Sequence, residues 1–527
     1  LDLALPVHRI ILLEGARRML VASLAGVAAA LAMAPFNLFP VLAISFPVLI
    51  WLLDGAGPGR AGAKAAAWIG FSFGFGYFLA GLWWIGSAFL VDGDAYAWML
   101  PFAVVGLPLL LAAFSALGCF LAWTMWSDGP GRLFALALGL GGAEWLRGRV
   151  LTGFPWNDFG YALADHSVLG QAASVIGVEG LTPIAVLVFS APALLADPPE
   201  RARWRWLFAA AAVLAVLALF GAWRLSTPLP QAPGTTLRIM QPNVPQDAKF
   251  RPSAGPEIMA RYLALSEGRL GNARTGLEGV DLLIWPESAF PFLIGRTPEA
   301  LAQIGGLLPK GTILLTGAAR REDIEDGNGR RFFNSLHAMA DDGSIIATYD
   351  KVHLVPFGEY LPFQSALEAM GIRQLTRLPG GFSAGDEPRT ISVPVRGAPK
   401  IAPLICYEAI FPTGMIDSAS RPSVLINVTN DAWFGDTPGP RQHLAQSRAR
   451  AVEQGLPLLR SANTGISAII DPYGRVLASV PLGTAGVLDG AVPASLPPTL
   501  YSRYGILAVL LVYIATIVGL LMTRRRV

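Results

Sequence analysis

Cysteine is almost absent from this 527-residue chain: there are two, Cys119 and Cys406, and Cys119 lies inside a long apolar segment, Leu107 to Trp126. So few exclude a disulfide-stapled scaffold, and a bond between these two is not expected. Histidine is scarce as well, with five residues, and no cluster has zinc-ligand spacing, so neither a metal nor another cofactor is expected. His353 and His443 lack the companions of a Ser or Cys triad. Charge is low too, with 15% of residues charged and a formal balance of +3. There is no basic face interleaved with aromatics, and nucleic acid is not an expected partner.

Apolar residues take up the space that charge leaves. They make up 53% of the chain, too many for one soluble domain, and the length allows two or three domains. Seven stretches near the length of a bilayer span fall within residues 1–226: 18–35, 38–54, 65–90, 98–126, 132–147, 174–196 and 204–225. An eighth covers 503–522. The fifth is short and the first two are divided only by Pro35-Phe36-Asn37, so six before the long loop is an alternative count. The first lacks a small-residue cleavage pattern and reads as a retained anchor. Gly70 and Gly74 form a GxxxG in the third, a signal for close helix packing.

Lys and Arg in the short loops set orientation. Arg9, Arg17, Arg18, Arg60, Lys64, Arg132, Arg201, Arg203, Arg205 and Arg524 to Arg526 all fall on one side, expected to be the cytoplasm. Arg147, Arg149, Arg224 and Arg503 are exceptions. The loop Gly153 to Tyr161 lies on the outer face, where Trp156 and Tyr161 read equally well as interfacial anchors or as substrate contacts.

Residues 227–498 differ in character, and 499–527 return to a span with a basic tail. Strand-like runs at 236–244, 281–285, 312–318, 344–349, 401–405, 423–428 and 467–470 alternate with helix-like segments such as 256–269 and 442–454, which makes an α/β domain. An odd number of preceding spans places it outside the cytoplasmic membrane. Pro403 argues against a fully paired position for the run 401–405. Asn427-Val428-Thr429 matches a glycosylation sequon but overlaps an expected buried strand.

Three strand ends carry reactive groups: Glu287 in WPES, Lys351 in YDKVH and Cys406 in LICYE. A buried small hydrophobe is the plain reading of a lone cysteine. With a carboxylate and a lysine at neighbouring strand ends, a second reading is acyl transfer: the glutamate takes the thiol proton and the lysine holds a tetrahedral oxyanion.

WPES, YDKVHLVPFGEYLP and LICYE, in this order, resemble the Glu-Lys-Cys motifs of the nitrilase (carbon-nitrogen hydrolase) superfamily, and the flanking spans resemble its membrane-embedded acyltransferases. The resemblance implies an αββα sandwich on a membrane bundle. It also implies transfer of an acyl chain from a phospholipid donor to the N-terminal amine of a diacylglyceryl-cysteine lipoprotein. Glu287 would be the base, Lys351 the oxyanion partner and Cys406 the nucleophile, with Glu359, Tyr407 and Glu408 in support and Trp433 lining the substrate site. The loop after Lys351, with Phe357, Leu361, Phe363, Met370 and Ile372, is expected to be an apolar lid dipping into membrane lipid, with packing against the domain itself as the alternative. A membrane-tethered amidase or nitrilase would use the same triad, whereas a transporter would use intramembrane Glu144 and Glu179.

Overall fold

The computed structural model describes residues 4–91, 93–198, 203–270, 274–288, 290–323, 329–369, 374–376, 380–417 and 419–523; Arg201, Met370, Ile372 and Arg524 to Arg526 lie outside them. The chain forms two compact units. One comprises Leu1–Pro228, Thr437–Gln454 and Pro498–Val527, the other Leu229–Asp436 and Gly455–Pro497.

The first unit is helical. In chain order it contains α1 (Ala4–Ile11), α2 (Gly15–Ala30), α3 (Leu42–Asp54), α4 (Gly59–Leu82), α5 (Gly93–Tyr96), α6 (Leu100–Thr124), α7 (Gly131–Arg147), α8 (Tyr161–Ala164), α9 (Ala173–Ser190) and α10 (Arg203–Ser226). α11 (Gly255–Ser266), α12 (Pro298–Leu307) and α13 (Gln364–Ala369) belong to the second unit. The chain then returns to the first for α14 (Pro438–Gln454), α15 (Leu500–Tyr504) and α16 (Ile506–Thr523).

Five helical stretches among the described residues are long and apolar enough to cross a bilayer: Gly59–Leu90, Ala97–Thr124, Leu169–Ala196, Trp204–Ser226 and Ile506–Thr523. The stretch Phe39–Asp54 is apolar but shorter. Large apolar side chains stand exposed along α10 (Phe208, Leu219, Trp223) and α16 (Leu511, Leu521), a surface that water would disfavour and lipid tails accept. The protein is a multi-pass membrane protein.

Inside the bundle, small residues let backbones approach. A methyl group added at Gly70 would stand 2.4 Å from the Ser115 carbonyl oxygen of α6, and one at Gly74 2.5 Å from Ser115 Oγ, so the GxxxG is the α4–α6 contact. Cys119 is buried at this same contact as a small apolar residue. The charges are paired. Glu144 and Arg147 bond one another, and Arg149 reaches Glu179 at 2.6 Å. Arg224 bonds Gln171. Three of the arginines that break the loop-charge rule are therefore internal ion-pair or hydrogen-bond partners, and the two glutamates that a transporter would use are held by salt bridges.

α14 is the least expected member. It is a polar helix from the middle of the α/β sequence, yet Gln442 accepts from the indoles of Trp84 (3.0 Å) and Trp156 (2.8 Å) and donates to the carbonyls of Ala34 and Gly81. Glu453 accepts the Val178 N–H at 2.8 Å, just after Gly177 interrupts α9 at φ 67°. Trp156 is 2% exposed and stacks on Phe154, so interfacial anchoring is excluded for it; Tyr161 is likewise buried.

The second unit is a pair of six-stranded sheets. Its strands are β1 (Thr236–Gln241), β2 (Leu282–Ile284), β3 (Ile313–Asp323), β4 (Arg330–Met339), β5 (Ile345–Asp350), β6 (Ile391–Ser392), β7 (Lys400–Ile405), β8 (Val424–Thr429), β9 (Leu458–Ala462), β10 (Ser467–Ile470), β11 (Val476–Val480) and β12 (Gly486–Ala491). The orders are β12-β1-β2-β3-β4-β5 and β11-β10-β9-β8-β7-β6, each with three parallel strands, β1-β2-β3 and β7-β8-β9.

Alternation builds the core. Leu237 and Ile239, Leu282 and Ile284, Ile313 and Leu315 from one sheet meet Ile401 and Ile405, Val424, Ile426 and Val428 from the other, every second residue turned inward. Each such side chain contributes about 1.5–3 kcal/mol by leaving water. The opposite face of the first sheet, with Met240, Leu283, Trp285 and Leu314, is covered by Ile258, Tyr262 and Leu265 of α11 and Ile304 of α12. Among the described residues this unit stacks a helical layer, a sheet and a second sheet in that order. Pro403 is tolerated inside β7 because β6 pairs only with Lys400 and Ile401, leaving that edge of β7 without a strand beyond them. Asn427 is fully buried in β8 and donates to the Leu404 carbonyl, which rules it out as a sugar acceptor in the folded chain.

Candidate active site

Three strands end where the reactive residues begin, β2 and β7 from the parallel sets and β5 from the antiparallel edge of the first sheet. Glu287 lies just beyond β2, Lys351 follows β5 and Cys406 follows β7. A strand that stops at a sheet's carboxyl edge releases its next side chains from the pleat, and two sheets packed face to face bring such ends together.

Cys406 opens a short 3-10 turn, Cys406–Ile410, with its backbone in the left-handed region at φ 50°. The turn is fixed by Glu408. Its carboxylate accepts from the N–H groups of Ile405 (2.7 Å), Val352 (2.7 Å) and His353 (3.2 Å) and from Tyr349 Oη (2.9 Å). One side chain therefore ties the thiol's turn to the segment carrying Lys351. Burial raises the Glu408 carboxyl to about 7, with the three N–H donors and Lys351 pulling the other way. Tyr407 packs its ring edge-on to Phe411, whose other neighbour is the ring of His353.

Lys351 is buried. Its ammonium lies 2.9 Å from Glu359 and 3.9 Å from Glu287. Burial alone would lower its pKa, but the attraction of Glu359, Glu287 and the Cys406 sulfur outweighs it, so the group stays a cation. Glu359 is fixed in turn by the Val355 N–H at 2.8 Å. Burial raises Glu287 above the ordinary carboxylate range, Lys351 opposing and Glu359 adding to the shift.

Burial also pushes the Cys406 thiol up, and Glu287 adds to this, while Lys351 and a hydrogen bond with Thr429 act against it. The resting sulfur is accordingly a thiol that needs a base. Glu287 carries a raised proton affinity suited to that task, and Lys351 supplies fixed positive charge for an oxyanion. The sequence motifs bring one thiol, one carboxylate and one ammonium group together.

Two groups were not legible beforehand. Asn334, on β4, donates from its amide nitrogen to Glu287 at 2.7 Å and to Glu359 at 2.8 Å, holding both carboxylates in place. Arg460, on β9, forms a fully buried pair with Asp431 at 2.7 Å, and Asp431 accepts from Thr429 Oγ1 at 2.9 Å. β4 and β9 carry these polar residues where alternating hydrophobics would mark a strand.

The remaining candidates divide. Trp433 is half-buried in the turn Asp431–Phe434. In the loop after Lys351, Phe357 is 51% and Phe363 84% exposed, both at positive φ, while Leu361 is 4% exposed. Leu361 thus departs from the lid expectation: it packs inward, where a side chain cannot meet lipid. Trp156 is part of the helical unit described above.

The profile of the carbon-nitrogen hydrolase family matches residues 239–497, and that of the apolipoprotein N-acyltransferase N-terminal domain matches 25–191. An apolipoprotein N-acyltransferase of Rhodopseudomonas palustris is 51% identical over 522 residues, covering 98% of this chain and 97% of that protein. The protein of the same name from Bradyrhizobium diazoefficiens is 53% identical over 524 residues, with 98% and 97% covered. That of Brucella melitensis biotype 1 is 46% identical over 534 residues, with 98% of each covered. Among solved structures, an amidase from Nesterenkonia sp. aligns with 53% of this chain and 95% of its own at 19% identity and a TM-score of 0.34.

Proposed function

Because the chain belongs to the apolipoprotein N-acyltransferase family, we propose that it takes an acyl chain from a membrane phospholipid onto Cys406 and passes it to the N-terminal amine of a diacylglyceryl-cysteine lipoprotein. The observation that carries this reading is similarity along nearly the whole chain, spans included, to relatives of that name. A tethered amidase would need one span and a soluble domain.

Glu287 takes the sulfur's proton as Cys406 attacks the ester carbonyl, and Lys351 balances the charge on the carbonyl oxygen. The carbon–oxygen bond breaks, Glu287 gives the proton to the departing oxygen, and lysophospholipid leaves a thioester behind. The lipoprotein amine then attacks that thioester. Glu287 takes one amine proton, the carbon–sulfur bond breaks, and the proton returns to sulfur. Glu359 and Asn334 hold Lys351 and Glu287 in place through both halves, and Glu408 holds the Cys406 turn.

The same reading takes 227–498 as the catalytic segment of an αββα enzyme and places it on the periplasmic side of a bacterial inner membrane. It has eight spans, with α2, α3 and α7 added to the five long ones. The one-sided loop arginines support this orientation. Trp433, Phe357 and Phe363 are its substrate-contacting residues; Leu361 and Trp156, both buried, act by supporting their neighbours.

The test is intact mass of the purified protein after exposure to phospholipid. An acyl adduct on Cys406 is expected, absent in Cys406→Ala, retained in Cys119→Ala, and discharged by an amine acceptor much faster than by water. Equal discharge by water would favour the amidase reading.

A further inference from the structure

Two carboxylates and one lysine leave the reaction centre a positive charge short. Glu287 and Glu359 share Lys351 and the amide of Asn334, whereas Glu408 has its backbone donors and Asp431 has Arg460. A buried carboxylate without a counter-charge is costly.

Lys249 stands where the missing charge is needed. It is carried by the turn Asp247–Phe250 that follows β1 and is 7% exposed. Among the described residues its ammonium makes one hydrogen bond, a long one of 3.4 Å to the carbonyl of Ser288, the residue after Glu287. So long a bond gives little return for burying an ammonium group, and a structural role at Ser288 does not account for the lysine. Its charge and that of Glu287 act on each other. The turn is braced: Asn430 donates to Gln246 at 2.6 Å, and Asn463 both donates to the Val244 carbonyl (2.8 Å) and accepts its N–H (3.1 Å).

We propose that Lys249 is a positioning residue of the acyl transfer, a second buried cation that acts through Glu287 and keeps it in the carboxylate form able to accept the Cys406 proton. This rests on the Glu287 role given above. Among the described residues the groups that act on Glu287 are Lys351, Glu359, Asn334 and Lys249, and Glu287 in turn acts on the thiol of Cys406, so removing Lys249 leaves two carboxylates against one cation. Burial lowers the ammonium to about 7, which leaves it charged on the acid side of neutrality, where loss of the Glu287 carboxylate would limit the reaction.

The experiment uses the full chain in detergent or lipid. The rates of acyl-enzyme formation from phospholipid and of Cys406 alkylation by iodoacetamide are followed against pH for wild type, Lys249→Met, Lys249→Gln and Lys249→Arg. In Lys249→Met and Lys249→Gln the acid limb of both profiles is expected to move up by about one pH unit, with activity recovered at higher pH, and Lys249→Arg is expected to restore it. Alkylation needs no acyl donor. If the limb moves there but phospholipid does not acylate any variant, the substrate assignment fails and the Lys249 assignment stands. Unmoved limbs with an intact melting transition, a rate reduced equally at every pH, an equal shift in Lys249→Arg, or loss of cooperative melting in both neutral variants would each overturn it.

Discussion

Lys351 is held by Glu359 more closely than by Glu287, at 2.9 Å against 3.9 Å. In the proposed mechanism the closer carboxylate anchors the ammonium and the other carries the proton. Glu359→Gln removes the attraction that most offsets burial of the lysine and also removes a like charge beside Glu287, so both pKa values fall. The acylation rate constant should drop about 100-fold with little change in KM, as for loss of one oxyanion-stabilising group. Single-turnover formation of the acyl-enzyme measures it, and a loss of less than about threefold would show that Lys351 is positioned without Glu359.

Glu287→Gln should lower acyl transfer by about 10²–10⁴-fold, the range for a lost general base. The pH dependence of thiol alkylation gives a second readout. Burial, the largest cause of the raised Cys406 pKa, persists in this variant even though the repulsion from Glu287 is gone. A raised thiol pKa means the thiolate appears only as pH climbs past the ordinary thiol range, so alkylation should vanish near neutrality and return on the alkaline side. Brisk alkylation at pH 7 would argue against Glu287 as the base.

Glu287 and Cys406 follow runs of buried apolar residues, β2 and β7, the pattern that burial against a second sheet demands, whereas Lys351 follows β5, IIATYD, which is mostly exposed or half-buried, and was marked by its motif alone. Asn334 had neither mark. Its strand, RRFFNSLHAM, spends Asn334 on the two glutamates, Ser335 on Asp350 and His337 on Thr348, and those polar residues erase the alternation that marks a strand. α14 was legible as a helix but not as a member of the bundle: its sequence is polar enough for a solvated surface, and only the partners of Gln442, Arg450 and Glu453 reveal why those side chains are buried. Leu361 shows a third limit, since composition marks a loop as apolar without saying which side chains turn inward.

Arg460→Met should destabilise the protein by about 3–5 kcal/mol, because it leaves Asp431 buried without its counter-charge. A clear fall in melting temperature is expected, with a weaker loss when Asp431→Asn is combined with it. A single variant that melts like wild type would mean that Asp431 finds another partner.

Phe357→Ser with Phe363→Ser should slow acylation by phospholipid in bilayers while leaving the melting temperature within about 2 °C, since both side chains are exposed and surface changes away from such features have small effects. Leu361→Ser, by contrast, should lower the melting temperature because it places a hydroxyl in a buried position. Acylation at the wild-type rate in the double Phe variant would remove these residues from the donor path.

Orientation can be read by labelling. In intact spheroplasts, a membrane-impermeant thiol reagent should modify a cysteine placed at exposed Val476, which lies in the β-sheet unit, and should spare one placed at Val527 until the membrane is opened. Labelling of the Val527 position from outside would reverse the assignment.

The left-handed backbone at Cys406 places strain at the nucleophile itself. For an L-residue that conformation costs about 1–2 kcal/mol, and glycine avoids most of the cost. Glycine there would relieve the backbone but give up both the thiol and the packing that Cys406 contributes to the core between the sheets. Directed evolution of this chain cannot relieve the strain at this position without losing the nucleophile, because the two reside in the same residue.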